Sequence, residues 1–160
     1  MKSKKFLLLH SFIVFLLLSG CSTKQDFLPE SNAGLELYKS YTGKEAKNML
    51  DKLHFLDVAD GDSKIGFYRS SRGSASVYAT IFADGKKAES KFEDMKNKIS
   101  GGNSIYNSGK MIELNSINIF RCKGLGQTHY TFAVGNTMVW ISCDDDPAPE
   151  FLQDYLNKIL

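Results

Sequence analysis

Cysteine, histidine and clustered aspartate are the residue types that could hold a metal, attack a carbonyl or move a proton. In this 160-residue chain they are few: three Cys, three His, and acidic groups at Asp57, Asp60 and Asp62 and at Asp144, Asp145 and Asp146. Cys122 and Cys143 stand 21 residues apart, a spacing that fits no zinc motif, so no metal site is expected. They are instead a candidate disulfide if the chain works where disulfides persist. His54 and His129 fall in no nucleophile elbow, zinc-binding helix or Cys–His pattern. A Ser–His pair built on His129 stays open as a hydrolase alternative, because triads are assembled in space and not along the chain. His54 ends a helical pattern, where its simplest role is to meet the last carbonyls. Counted as an EF-hand loop from Asp57, the sixth position is Asp62 instead of Gly and the twelfth is Tyr68 instead of Glu, so this stretch reads as a turn. Ser70 to Ser74 with Arg72 also reads as a turn of small residues in preference to an anion loop. Asp144 to Asp146 before Pro147 reads as a helix start in preference to a cation site. No cofactor and no enzymatic activity are expected.

Cys21 has a different setting. Lys2, Lys4 and Lys5 precede an apolar run of 13 residues, Phe6 to Leu18, broken by His10 and Ser11. A bilayer span takes about 20 such residues, so the run is too short for an anchor and has the order of a secretory signal peptide. Its last four residues, Leu18-Ser19-Gly20-Cys21, resemble the lipobox of bacterial lipoproteins. That resemblance implies export, diacylglyceryl transfer to the sulfur of Cys21, cleavage before it, and acylation (palmitate among the chains) of the new amino terminus. Residues 1–20 would be the cleaved signal peptide and the membrane a partner through the lipid on Cys21. Ser22, where Asp would favour the inner membrane, implies sorting to the periplasmic face of the outer membrane in a cell that has one.

Cleavage there would leave 140 residues, one ordinary domain, and remove three lysines, turning a net charge of +2 into 17 basic against 18 acidic residues. A near-neutral chain with interspersed signs carries no electrostatic footprint for nucleic acid, and none is expected as a partner. An apolar content of 42% is enough for a core, and 12% aromatics favour β structure.

The elements that would position these groups follow from periodicity. Residues 21–41 are polar and read as a lipidated tether, although Phe27-Leu28 and Leu35-Leu37 could dock on a domain occupying residues 42–160. Thr42 and Glu45 have capping-box spacing ahead of a helix over 43–54, with Ala46, Met49, Leu50 and Leu53 on one side. Strands are expected at 64–70 and 75–82, and a second helix from Gly85 to Ile99. Five further strands are expected at 104–107, 111–114, 117–122, 128–134 and 137–143. Phe151, Leu152, Tyr155, Leu156 and Ile159 mark a closing helix. Gly135-Asn136 is the strongest hairpin signal and sets Val134 against Thr137, Phe132 against Val139, Tyr130 against Ile141 and Thr128 against Cys143. A simple meander would then hold Cys122 and Cys143 two strand spacings apart, roughly 9 to 10 Å. A disulfide needs Cα atoms within about 7 Å, so meander and disulfide compete.

The fold class expected is α+β: a single antiparallel sheet of about six or seven strands with helices packed on one face. In element order it is similar to small lipoprotein domains of the PsbP or Mog1 type. The expected function is a non-enzymatic binding or structural role in the cell envelope, with an envelope protein or a small ligand as partner. His129, Met138 and Trp140 share one side of the hairpin and form the candidate binding face. Small-molecule or lipid binding near Trp140 is one alternative, and a hydrolase using His129 is another.

Overall fold

The structure, a computed structural model, describes residues 25–54, 61–102 and 104–160, without the side chains of Leu53 and His54. Cys21 with its apolar run, and Asp57 and Asp60, lie outside the described residues. In chain order the elements are β1 (Ser31–Asn32), β2 (Leu35–Thr42), α1 (Gly43–His54), β3 (Asp62–Ser70), β4 (Gly73–Ile81), α2 (Gly85–Ser100), β5 (Asn107–Leu114), β6 (Ile117–Gly124), β7 (Gln127–Val134), β8 (Thr137–Asp144) and α3 (Ala148–Ile159). The strands form one antiparallel sheet in the order β1-β2-β3-β4-β8-β7-β6-β5, so the fold is α+β. Two four-stranded meanders meet where β4 pairs with β8, and α2 is the crossover between them. None of the described helices is long and apolar enough to cross a bilayer.

The β7–β8 hairpin has the register its turn requires, with Phe132 opposite Val139, Tyr130 opposite Ile141 and Thr128 opposite Cys143. Gly135 takes the positive φ, 56°, at the first turn position. Eight strands stand where six or seven were expected, because one merger lowers the count and two additions raise it. The stretches at 104–107 and 111–114 are not separate strands; a single β5 begins at Asn107 and passes an irregularity before Lys110, with Ser108 at a φ of 54°. At the other end, β1 and β2 come from the segment expected as a tether, so the domain starts well before residue 42.

That early start is held by burial. Phe27 and Leu28 are buried, Leu35 is fully buried, and the Tyr155 hydroxyl donates to the Phe27 carbonyl at 3.0 Å. Gly66 makes room for them: a Cβ there would sit 2.8 Å from Leu28 Cδ2 and 3.0 Å from Leu37 Cδ1.

The helices cover both faces of the sheet, which corrects the expectation of one. Side chains alternate across a strand, so Tyr68, Val77, Ile141, Val139, Tyr130 and Phe132 point to one face. There they meet Phe151, Leu152, Tyr155, Leu156 and Ile159 of α3, all buried and spaced three and four apart. The sheet curls round that helix and touches it from both edges. Asn32 Nδ2 donates to the Phe151 carbonyl at 2.7 Å, and Asn115 Nδ2 donates to Asn157 Oδ1 at 3.1 Å. On the opposite face, Ile65 packs with Ala46 and Leu50 of α1, while Phe120 and Cys122 pack with Phe92 and Ile99 of α2. One helical stripe fills the concave side, and it takes two helices to cover the other.

Because Phe27 belongs to this core, Phe27→Ala should lower the stability of the non-acylated chain beginning at Ser22 by about 3 to 5 kcal/mol in urea unfolding. An unchanged unfolding midpoint would show that the segment lies outside the core.

Candidate functional site

His129, Met138 and Trp140 do share a face, as their parity requires, but that face is the one α2 covers. His129 is only 2% exposed, while Met138 and Trp140 are half-buried. The hydrogen bonds of the histidine fix its state. Nε2 lies 2.8 Å from the Gly124 carbonyl and Nδ1 lies 2.9 Å from Ser142 Oγ, which also accepts from Trp140 Nε1 at 2.9 Å. A carbonyl can only accept and an indole N–H can only donate. The proton of the neutral ring is therefore on Nε2, and Ser142 donates its own hydroxyl proton to Nδ1. The chain from Trp140 through Ser142 and His129 to Gly124 leaves none of these groups unpaired.

One further ring closes this network. Tyr106, in the link from α2 to β5, lies edge-on with its centroid 4.8 Å from that of His129 and 5.3 Å from that of Trp140. Gly124 permits the approach, since a Cβ there would come within 2.5 Å of the Tyr106 ring. Burial is the largest influence on His129 and lowers its pKa, which the Gly124 carbonyl opposes. So a serine and a histidine do come within bonding distance, but as a buried strut. The ring is sealed, and Trp140 engages one of the two lone pairs of the serine oxygen.

Cys122 and Cys143 do not meet. Cys122 stands opposite His129, one step along from the level expected for it, and Cys143 stands opposite Thr128. Adjacent residues of β7 point to opposite faces, so the two thiols lie on opposite sides of the sheet with β7 between them, and both are free. The candidate disulfide is corrected on that geometry. Burial pushes the Cys122 thiol up to about 11 and the Cys143 thiol up to about 12.

Asp144 and Asp145 clasp strand ends, and α3 starts after the aspartates as expected, without a side-chain cap bond. Asp144 Oδ2 accepts from the Ser74 amide at 2.8 Å and its hydroxyl at 3.0 Å, and Oδ1 accepts from Gln127 Nε2 at 2.9 Å. The bond from Gln127 leads in holding the Asp144 carboxyl below its ordinary value, with those from Ser74 behind it. Asp145 accepts from Thr128 Oγ1 at 2.6 Å and pairs with Lys123 at 2.5 Å. Arg72, the candidate anion ligand, pairs with Glu150 at 2.8 Å and Asp146 at 3.8 Å. Pro147 is the residue that precedes α3, with no side-chain cap bond.

What is open lies further along the same face, beside α1. Tyr38, Tyr41 and Phe67 form a cluster with Tyr78 at its edge: Tyr38 and Tyr41 lie 6.4 and 6.2 Å from Phe67 between ring centroids, and Tyr78 lies 6.5 Å from it. Tyr38 is 51% exposed, with the Arg69 guanidinium 4.4 Å from its ring centre, and Lys39 Nζ lies 4.9 Å from the Tyr41 centre. A register shift between Leu37 and Lys39 brings Tyr38 onto this face, where strict alternation would have sent it to the other. No sequence signal marked these residues, since the shift interrupts the period and the stretch is polar.

His129 gives the fold a pH signature. Its folded pKa is below its unfolded one, so below about 6.5 the unfolded chain binds a proton that the native state refuses. Stability is full above that pH and is lost as pH falls toward the folded pKa. The urea midpoint should drop between pH 7.5 and 5.5, above the carboxylate window, and His129→Gln should flatten that drop while costing about 1 to 3 kcal/mol at pH 7.5. An equal drop in the variant would refute the assignment. Unfolded without reductant, the domain should alkylate at both Cys122 and Cys143, and an intact Cys122–Cys143 bond in mass spectrometry would overturn the register argument. The chain matches no family model, no curated protein and no solved structure.

Proposed function

We propose that this is a lipid-anchored protein of the cell envelope, attached through acylated Cys21, with a non-enzymatic role in which the surface of Tyr38, Tyr41, Phe67 and Arg69 takes a protein partner. The observation that carries the binding role is this aromatic and cationic cluster standing open on a sheet face that is otherwise covered by helices. Tyrosine and arginine are the side chains that dominate protein interfaces, because a rigid ring buries much area at low entropic cost and a guanidinium pairs with carboxylates. The partner chemistry that fits is an apolar patch with acidic groups at its rim. Attachment to the envelope is supported by the lysines, the 13-residue apolar run and Leu18-Ser19-Gly20-Cys21.

The small-ligand alternative near Trp140 has less behind it, because the indole N–H is committed to Ser142 and the ring is packed under α2. One surface depression, about 490 Å³, runs along the outside of α3 and is open to solvent, and another, about 390 Å³, is lined by Ile99 and Tyr106 on the outer side of the ring that packs on Trp140. The hydrolase alternative would require a substrate to reach a histidine that is 2% exposed.

A photo-crosslinking residue at position 38 in the acylated protein, in its own cells, should give a discrete protein adduct that the same residue at Ser90, on the exposed side of α2, does not give. Arg69→Glu should reduce that adduct several-fold with no change in the urea midpoint of the isolated domain. Equal crosslinking at 38 and 90 would sink the proposal. In parallel, palmitate labelling should be lost in Cys21→Ser.

A further inference from the structure

We infer that the end of the domain formed by the C-terminal end of α3 and the β5–β6 turn rests against the lipid headgroups of the membrane that holds Cys21, an inference that rests on the acylation proposed above. Three residues, Ser22, Thr23 and Lys24, separate Cys21 from Gln25, the first described residue. Even fully extended, the four steps between Cys21 and Gln25 span at most about 14 Å. A cysteine acylated on both its sulfur and its amino group keeps its backbone at headgroup level, because its chains are in the hydrocarbon. Gln25 therefore cannot stand farther than that from the headgroups.

Gln25 is not a free end that could trail away from the fold. Its side-chain amide donates to the Ile159 carbonyl, and two residues on, Phe27 is buried with its carbonyl bonded to Tyr155. The last turn of α3 is thereby fixed beside the point of attachment. Asn157 in that turn is bonded to Asn115, so the Asn115-Ser116 turn is at the same end. Leu160 is 58% exposed there and offers an apolar side chain to the interface. The Leu125-Gly126 turn lies at the other end of β6, a strand of eight residues, or about 25 Å away. Leu125 is 71% exposed and serves as the distal reference.

The test uses the full acylated protein in vesicles containing a headgroup-linked paramagnetic nickel chelate, with a nitroxide on Asn115→Cys or on Leu125→Cys. Cys122 and Cys143 are buried and will not take the label under native conditions. Relaxation by the nickel lipid should be several-fold stronger at 115 than at 125. Inserting a 16-residue Gly/Ser linker, about 20 Å in r.m.s. reach, after Ser22 should bring the two close to equal. Equal relaxation in the unaltered chain that still incorporates palmitate overturns this inference alone. Absence of palmitate on Cys21 overturns it together with the lipoprotein reading.

Discussion

The constraint on which the rest depends is that the middle of the sheet is covered on both faces. In β7 five consecutive residues, Thr128 to Phe132, are buried, so polar and apolar side chains alike are removed from water. The apolar ones meet α3. The polar ones must find partners inside the protein, since an unpaired buried group costs on the order of 1 to 3 kcal/mol. Thr131 donates to the Val139 carbonyl at 3.0 Å, and His129, Ser142 and Trp140 satisfy one another with the Gly124 carbonyl. A histidine beside a serine is here the result of closing a hydrogen-bond account under α2, and the low pKa of the ring follows from the same burial.

Local rules made much of this fold legible. Apolar spacing gave α1 its bounds, the Gly135-Asn136 turn gave the β7–β8 register, and the Phe151 to Ile159 stripe gave α3. Three features were not legible, each for a physical reason. The irregularity at Tyr38 breaks the period of β2, so a strand reads as polar linker. Polar residues that pair with each other look the same in sequence as residues that face water, so the covering of the His129 face by α2 could not be read from alternation. The cysteine question turned on one residue of register at the Leu125-Gly126 turn. That shift set Cys122 beside His129 and, by parity, across the sheet from Cys143.

The charged groups act at the periphery. Asp144 ties β8 to Ser74 of β4 and Gln127 of β7, and Asp145 ties to Thr128 and Lys123, so the meeting of the two meanders is fastened at its end by carboxylates. The open aromatic cluster beside α1 is centred on β2 and β3, away from the buried histidine. A surface for a partner and a rigid centre can therefore coexist, because Tyr38, Tyr41 and Phe67 stand on β2 and β3 whereas His129, Trp140 and Ser142 stand on β7 and β8.

The seam between β4 and β8 also bears on how the chain reaches this state. Within each meander the hairpins join strands that follow closely in sequence, whereas Ala75 pairs with Cys143, 68 residues later. Contacts of high sequence separation are the slow ones to form, since loop-closure entropy is lost before they repay it. Forming the β4–β8 pairing, the docking of one meander on the other, therefore carries the largest loop-closure cost among the strand pairings of the described residues. The single tryptophan of the chain, Trp140, stands opposite Tyr78 across that seam, so its emission is a built-in reporter of the docking event.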